Sequence, residues 1–170
     1  MTVRFLLMSA LFAALATEAP AQGTQVGFGV ADYDSSKPVE VTSDQLDVRQ
    51  SDGRAVFTGN VVIGQGQMRM TGDKVDVTYG TNAAGSNEIR SLHATGGVTL
   101  VNGGEAAEAA EALYTLETGV VVLTGDVVLT QGENAMAGQK LTVNLGTGTG
   151  MMEGRVRVVF NSETVAEPGQ

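Results

Sequence analysis

Residues 57–63 read "FTGNVVI", and this phrase returns three more times along the chain in related form. The later copies are "ATGGVTL" at 94–100, "LTGDVVL" at 123–129 and "MEGRVRV" at 152–158. Their glycines, Gly59, Gly96, Gly125 and Gly154, are separated by 37, 29 and 29 residues. A recurring period of this length is typical of repeat architectures, in which each unit packs against its neighbours.

A second phrase is interleaved with the first. It reads "SDQLDV" from Ser43, "GDKVDV" from Gly72, "AEALYT" from Ala110 and "GQKLTV" from Gly138. Its apolar anchors are 29, 38 and 28 residues apart, at Leu46, Val75, Leu113 and Leu141. Both long intervals contain residues 79–87, so one insertion of eight or nine residues explains them. The unit is therefore about 29 residues long and occurs roughly four times.

Apolar and polar residues alternate through the body, and period-two alternation predicts strands that bury one face. No proline interrupts residues 39–166, which permits continuous ladder pairing. The segment Glu105 to Leu113 has helical propensity but lies where the repeat requires a strand, so a short helical turn is the minority interpretation. The predicted inner apolar face comprises Val61, Ile63, Met68, Met70, Val75, Val77, Val98, Leu100, Val127, Leu129, Met136, Leu141, Val143, Val156 and Val158.

The repeated glycine is expected to bend its strand, because glycine inside a strand permits a kink or a bulge. Stacked copies of bent strands predict an elongated, antiparallel all-β body whose inner faces meet. Such a body is open at both ends, with edge strands that are free to pair. The predicted inner face contains methionine, and only 5% of the chain is aromatic, which suits either an unfilled apolar groove or an ordinary sandwich core.

Composition excludes several classes of protein. The 170 residues contain no cysteine and one histidine, so a disulfide scaffold, a thiol nucleophile, a Cys-ligated zinc site and a multi-His metal site are ruled out. The net charge of -9 gives no electrostatic footprint for phosphate backbones, and nucleic acid is not an expected partner. No catalytic residues, metal site or cofactor are predicted, and the protein is not expected to be an enzyme.

The ends of the chain are expected to lie outside the folded domain. Residues 1–21 have the charged start, short apolar run and A-x-A site of a secretory signal peptide, which predicts cleavage between Ala21 and Gln22 and export to the periplasm. Residues 22–38 read as a flexible lead-in. The β-domain is predicted over 39–161, followed by a disordered tail at 162–170.

Three stretches together resemble a known family. They are "RAVFTGNVVI" at 54–63, "GDKVDVTY" at 72–79 and "IRSLHATGGVTL" at 89–100. With the predicted signal and the cysteine-free β-body, they make the chain similar to the LptA/OstA-like periplasmic lipopolysaccharide transport proteins. The resemblance covers about residues 39–160.

The resemblance implies a slightly twisted β-jelly roll, V-shaped in section, whose apolar interior holds the acyl chains of lipopolysaccharide. It also implies head-to-tail pairing of copies through edge strands, which bridges the periplasmic component of an inner-membrane ABC transporter and an outer-membrane translocon. The predicted inner face is then the lipid-binding face. Two alternatives remain open, a purely structural β-repeat protein of the envelope and the periplasmic domain of the transporter's membrane-anchored partner.

Several polar residues invite a functional interpretation but have a simpler one. Asp44, Asp73, Glu111 and Gln139 fall near equivalent repeat positions beside turns, which is typical of a solvated face. His93 lies on a predicted strand without a nucleophile partner, so a structural role is expected. Contact with lipid phosphates at the groove mouth is a hypothesis that rests on charge alone for Arg69, Lys74, Arg90, Arg155 and Arg157.

Overall fold

A computed structural model gives the fold of residues 23–29, 33–34, 36–49, 53–81 and 85–160. These ranges contain eleven β-strands: β1 (Thr24–Gly27), β2 (Glu40–Thr42), β3 (Gln45–Arg49), β4 (Arg54–Gln65), β5 (Met68–Thr81), β6 (Asn87–Asn102), β7 (Glu105–Thr115), β8 (Val120–Gln131), β9 (Asn134–Asn144), β10 (Thr149–Glu153) and β11 (Arg157–Val159). The all-β, antiparallel architecture predicted from the alternation is confirmed. The predicted signal peptide and the predicted tail lie outside the described residues.

All eleven strands join one unclosed antiparallel sheet, in the order β1-β10-β9-β8-β7-β6-β5-β4-β2. Strands β4 to β9 form a meander of long neighbours. At one end, β4 pairs with β3 along residues 54–58 and with β2 along residues 62–64. At the other end, β9 pairs with β10 along 140–144 and with β11 along 135–137. Each terminal long strand thus has two short partners because its two halves lie in different layers.

The repeated glycine bends the strands, as the sequence predicts. The ladder between β8 and β9 shifts register between Thr124 and Val127, with Gly125 at φ 86° and Asp126 at φ 48°. The same pair of left-handed residues recurs at Gly59-Asn60, Gly96-Gly97 and Gly154-Arg155. Two successive residues with positive φ turn the chain sharply. The pair bends β4, β6 and β8 without ending them, whereas Gly154-Arg155 separates β10 from β11. We call this line of bulges the spine.

The spine divides the sheet into two layers. Layer 1 contains β1, β3, β10 and the halves of the long strands that pair with β3 and β10, and layer 2 contains β2, β11 and the other halves. Each unit consists of two strands of 11 to 16 residues, because a bulged strand passes from one layer into the other.

The hairpin turns lie at the ends of the strand halves farthest from the spine. In layer 2 these are two-residue turns that begin with Gly66, Gly103 and Gly132, with φ between 57° and 63°. Glycine with positive φ at the first turn position suits the twist of a tight hairpin. The two rows of turns face each other, and we call the region between them the mouth.

The inner faces of both layers meet in one hydrophobic core. Of the fifteen residues predicted to face inward, Met136 and Val156 are half-buried against this core and Val158 is half-buried. The other twelve are at most 1% exposed. Tyr114 and Phe28 are the aromatic side chains that the described core buries completely. The alternation therefore predicted the inward set correctly, although not whether its members enclose a groove.

The structure differs from the sequence interpretation in the segment expected to be a flexible lead-in. Thr24–Gly27 forms β1 and pairs with β10 from Thr24 opposite Met152 to Gly27 opposite Thr149. Val26 and Phe28 face the core, and Phe28 is 0% exposed. This strand has only four residues and two apolar side chains on its inner face, which is too short a pattern for alternation to indicate a strand.

In β7 the inward-facing residue is one position before the predicted anchor of the second phrase. The segment is a strand, so the helical alternative is wrong. Leu113 points outward and is 42% exposed, whereas Ala112 faces the core between Ala94 and Leu123. Ala112 is 37 residues after Val75 and 29 before Leu141, the same separations as those of the bulge glycines. Ala107, Ala109, Ala112 and Tyr114 all face the core, so the tertiary pairing overrides the helical propensity of the alanines.

Candidate functional site: the apolar interior and its mouth

The interior is a pair of facing apolar surfaces that runs across all the long strands. In layer 2 its central row consists of Val41, Ile63, Met70, Leu100, Ala107, Leu129, Met136 and Val158. The members between Ile63 and Leu129 are 0% exposed, while Val41, Met136 and Val158 at the two ends are half-buried. The interior is therefore packed in its middle and open at both ends.

The open end at β3 exposes the inner face most. Leu46 and Val48 pair with Phe57 and Ala55, so they continue the inward rows of layer 1. They are nevertheless 54% and 59% exposed, because the described residues place no strand beyond β3 to cover them. Leu46 is an inward anchor, as predicted, but it lies at the end of the sheet instead of in the core.

Two of the polar residues at equivalent repeat positions, Asp44 and Asp73, pack against the spine. A side chain at Gly59 would meet Asp44, and one at Gly96 would meet Asp73, so each acidic residue packs over a bulge glycine. The equivalent neighbours of Gly125 and Gly154 are Ala110 and Gln139. Glu111 therefore does not belong to this set, and in the described residues no cluster of three His, Asp or Glu side chains could hold a metal ion.

His93 and Glu111 lie on the outer face of layer 1. The His93 Nε2 is 3.0 Å from Glu111 Oε2, and the Thr124 hydroxyl donates to Glu111 Oε1 at 3.1 Å. These hydrogen bonds, that of His93 first, hold the pKa of the Glu111 carboxyl below its ordinary value. The pair faces solvent across a shallow concavity, away from the interior.

The five basic residues do not gather at the mouth. Arg69 lies at a layer 2 hairpin, where its guanidinium donates to the carbonyls of Gly66 and Met68, both at 2.8 Å. Arg90 lies at the opposite rim and bonds to Thr81 and Glu117. The other three follow or flank the spine: Lys74, Arg155 and Arg157. Only Arg69 and Arg90 are placed where the phosphate hypothesis requires.

A row of carboxamide side chains lines the layer 2 side of the mouth. Gln65, Asn102 and Gln131 are the last residues of β4, β6 and β8, and each precedes a two-residue glycine turn. Gln65 and Asn102 are 4% and 3% exposed, and Gln131 is half-buried. We call these three residues the carboxamide row.

Described residues that precede β2 in the sequence bond to the mouth. Gln65 Nε2 donates to the Lys37 carbonyl at 3.0 Å, and Gln131 Nε2 donates to the Gly27 carbonyl at 2.8 Å. Glu105 accepts from the Gly29 amide and from Gln131 Nε2, the latter at 2.7 Å. Polar groups therefore close the side of the interior that faces away from the spine.

Tyr114 joins the two rims. Its hydroxyl donates to Gln65 Oε1 at 2.6 Å and contacts the hydroxyl of Tyr33, which itself donates to Gln65 Oε1 at 3.2 Å. Burial raises the pKa of the Tyr114 hydroxyl well above its ordinary value, and the contact with Tyr33 raises it further. The neutral phenol is the form that the folded protein favours.

Tyr114→Phe is expected to lower the free energy of unfolding by about 1–2 kcal/mol at pH 7, because it removes a buried hydrogen bond. Since the folded pKa is raised, the contribution of Tyr114 is complete below the ordinary tyrosine pKa of about 10 and is lost as the pH rises above it. Between pH 10 and 11, the wild type is therefore expected to lose about 1 kcal/mol more than Tyr114→Phe. Urea unfolding followed by circular dichroism measures both effects.

Tyr79→Phe is the matched control, because the Tyr79 side chain is 37% exposed, whereas Tyr114 is 0% exposed. It should leave the free energy of unfolding at pH 7 unchanged. Equal pH profiles for the wild type and Tyr114→Phe would contradict the assignment of Tyr114 as the buried, neutral link.

With the geometry in place, comparison with known proteins identifies the family. Residues 40–149 match the model of the LptA/(LptD N-terminal domain) LPS transport protein family. The chain belongs to this family. The resemblance predicted from the repeated phrases is therefore confirmed, and with it the expectation that the protein serves lipopolysaccharide transport.

Two curated relatives are similar to this chain. An uncharacterized protein of Rhizobium meliloti (strain 1021) is 28% identical over 158 residues, which cover 88% of this chain and 85% of that protein. The lipopolysaccharide export system protein LptA of Escherichia coli (strain K12) is 30% identical over 112 residues, covering 64% of this chain and 60% of LptA. The chain thus matches less than two thirds of the length of LptA.

A solved structure shows the same fold. The crystal structure of LptH, the LptA-homologous periplasmic component of the lipopolysaccharide transport device of Pseudomonas aeruginosa, superimposes with a TM-score of 0.67 at 19% identity. It covers 76% of this chain and 99% of the LptH chain. The predicted β-jelly roll is confirmed by this likeness.

The sequence interpretation missed the carboxamide row. Its members are 37 and 29 residues apart, the spacing of the first three bulge glycines, so the repeat carried the signal. Because each one precedes a glycine turn, it is easily taken for an ordinary turn residue. Tyr33 was also missed, since it lies in the stretch expected to be a flexible lead-in.

Proposed function

We propose that this chain is a periplasmic carrier that shelters lipopolysaccharide acyl chains between its two layers and passes them along a bridge between the membranes. The observation that carries the proposal is the continuous apolar interior, open at both ends, in a member of a lipopolysaccharide transport family. The lipid-binding residues are then the inward-facing set predicted from the sequence. No catalytic step is needed, and the named relatives are transport proteins.

The energetic reason is the insolubility of acyl chains. Each methylene exposed to water costs about 0.8 kcal/mol, so a chain of about 12 methylenes costs roughly 10 kcal/mol, and lipopolysaccharide carries several chains. An apolar surface that accompanies the lipid removes most of this barrier. Directionality then comes from the nucleotide-driven transporter with which the bridge connects.

The packed middle of the interior requires the layers to separate when lipid enters. Leu100 and Leu129 are 0% exposed, so no acyl chain fits beside them without movement. The spine is the natural hinge, because its glycines join the layers through single strands. On the opposite side, the layers are joined by side-chain hydrogen bonds such as that from Tyr114 to Gln65.

Periplasmic location is supported by the signal-like sequence of residues 1–21 and by LptH, a periplasmic component. Among the described residues, no helix has the length and apolar character needed to cross a membrane. We place cleavage between Ala21 and Gln22.

The two ends of the sheet supply joints for the bridge. Among the described residues, β3 has an unpaired edge at one end, with Leu46 and Val48 exposed on its inner side, and β1 and β11 have unpaired edges at the other end. Main-chain pairing between edges of different copies would extend the sheet and the apolar interior together. The same edges would join the first and last copies to the transporter's periplasmic component and to the outer-membrane translocon.

Replacing Leu46 and Val48 together by aspartate is expected to abolish head-to-tail association, because two charges would then be buried in the joint without partners. Sedimentation velocity should show larger species of the wild type as its concentration rises, and only monomer for the double variant. The matched control is Gln45→Asp with Arg49→Gln, which changes the net charge equally on the outer face of β3. Association of the aspartate double variant at wild-type concentrations would contradict this joint.

A purely structural role is the second candidate, and one observation favours it. The middle of the interior is as densely buried as the core of an ordinary β-sandwich. A structural protein would keep that core dry and would bind no lipid. Photo-crosslinking of lipopolysaccharide to inward-facing positions separates the two candidates.

A further inference from the structure

The carboxamide row marks a chemical boundary. Gln65, Asn102 and Gln131 each lie two residues beyond a side chain that is 0% exposed, namely Ile63, Leu100 and Leu129 respectively. Residues two apart on a strand share one face, so each carboxamide caps an apolar row that leads into the interior. The boundary between polar and apolar surface is therefore one side chain wide.

The row is also regularly spaced. Its members lie at equivalent positions on alternate strands, which sets them about 9–10 Å apart along the mouth. A carboxamide presents two N–H donors and one acceptor oxygen, and it carries no charge. Three such groups at three repeats make one extended donor surface instead of three separate turn residues.

The current partners of these donors are carbonyl oxygens. Gln65 Nε2 and Gln131 Nε2 donate to the backbone carbonyls of Lys37 and Gly27. The middle member differs, because the buried Asn102 Nδ2 has no hydrogen-bond partner among the described residues. An amide that is 3% exposed and unpaired is destabilising, so its presence needs a reason other than folding.

We propose that the carboxamide row binds the carbonyl groups through which acyl chains are linked to the head of the lipid, with Asn102 as the donor that is open for this purpose. This inference rests on the proposed carrier function and specifies how the lipid is seated. When acyl chains lie against Leu100 and Leu129, their ester or amide carbonyls fall at the row. The backbone carbonyls of Gly27 and Lys37 hold the same donors when lipid is absent.

Gly29 supports this arrangement. Its φ is 78°, and a side chain there would collide with Asn102 Nδ2. The main chain therefore passes directly over the amide without bonding to it. A small backbone shift at this point would open Asn102 to an acceptor from outside.

The test compares Asn102→Leu with the wild type and with Gln139→Leu, a control on the exposed spine side. Two lipids of equal chain length serve as probes, a diacyl ester phospholipid and its dialkyl ether analogue, which lacks the carbonyls. Their apparent Kd values are measured by displacement of a fluorescent lipopolysaccharide. Thermal unfolding is recorded for each variant.

The wild type should bind the ester lipid about fivefold more tightly than the ether lipid, the equivalent of one hydrogen bond of about 1 kcal/mol. Asn102→Leu should lose this preference, keep its affinity for the ether lipid and unfold at a higher temperature. Gln139→Leu should behave as the wild type does. A merely structural role for Asn102 would not separate the two lipids.

An unchanged ester preference in a folded Asn102→Leu overturns the inference and leaves the carrier function standing. Absence of all lipopolysaccharide binding by the wild type overturns the carrier function and this inference together. The triple variant Gln65→Leu, Asn102→Leu and Gln131→Leu extends the test to the whole row.

Discussion

Gly125→Ala is expected to lower the free energy of unfolding by about 2–5 kcal/mol, because the added methyl group meets both backbone strain and a collision. Gly125 has φ +86°, a conformation that costs an L-residue roughly 1–2 kcal/mol. The new Cβ would also stand 2.7 Å from the Cβ of Ala110, closer than real contacts allow. Relieving such overpacking costs about 1–3 kcal/mol more.

Two further variants separate the cost of the positive φ from the cost of the collision with Ala110. Gly97 occupies the second bulge position, where the other repeats have Asn60, Asp126 and Arg155, and a Cβ at Gly97 would meet no neighbouring atom within 4 Å. Gly97→Asn should therefore change stability by less than about 0.5 kcal/mol. Adding Ala110→Gly to Gly125→Ala should recover part of the loss, because the collision disappears. Urea unfolding by circular dichroism measures all three, and equal stabilities of Gly125→Ala and Gly97→Asn would contradict the role of the spine.

The fold was largely predictable because its signals are local and repeated. Alternation placed residues such as Ile63, Leu100 and Leu129 on the inner face, and the repeated glycines placed the bends. Both patterns follow from the geometry of a strand, in which side chains alternate and glycine alone tolerates certain bends without strain.

What the sequence could not supply depends on packing. Leu113 matches the apolar anchor position of the repeat, because it is the larger hydrophobic residue. The strand pairing shows instead that Leu113 lies opposite Val122 on the outer face and that Ala112 faces inward. Leu46 faces inward yet is exposed, because its burial depends on whether another strand follows β3. The closed middle of the interior follows from the distance between layers, which no pattern within one strand encodes.

The candidate site was only half predictable for the same reason. Its apolar part is a periodic pattern, whereas the polar mouth depends on hydrogen bonds from Gln65 and Gln131 to residues far away in the sequence, such as Lys37 and Gly27. Hydrogen bonds such as that from Gln131 to Gly27 join residues 104 positions apart. The carboxamide row can therefore be recognised only in the folded structure, where its distant hydrogen-bond partners are known.

The second large expected effect is the difference in photo-crosslinking to lipopolysaccharide between inward-facing residues and their outward-facing neighbours. Leu129 is 0% exposed and faces the interior, while Val128 beside it is 37% exposed on the outer face. Ile63 and Val62 form an equivalent pair, with 0% and 37% exposure. If acyl chains occupy the interior, a photoreactive side chain at each inward position lies against them, and its outward neighbour lies in water.

Photo-crosslinking with lipopolysaccharide at these positions therefore tests the central claim most directly. Photoreactive residues are placed at Ile63, Val77 and Leu129 and, as matched controls, at Val62, Thr78 and Val128. Circular dichroism confirms that each variant is folded. The carrier account predicts strong lipopolysaccharide adducts at the three inward positions and background labelling at the three outward ones. Absence of adducts at all three inward positions in folded protein, or equal labelling of both faces, would contradict it.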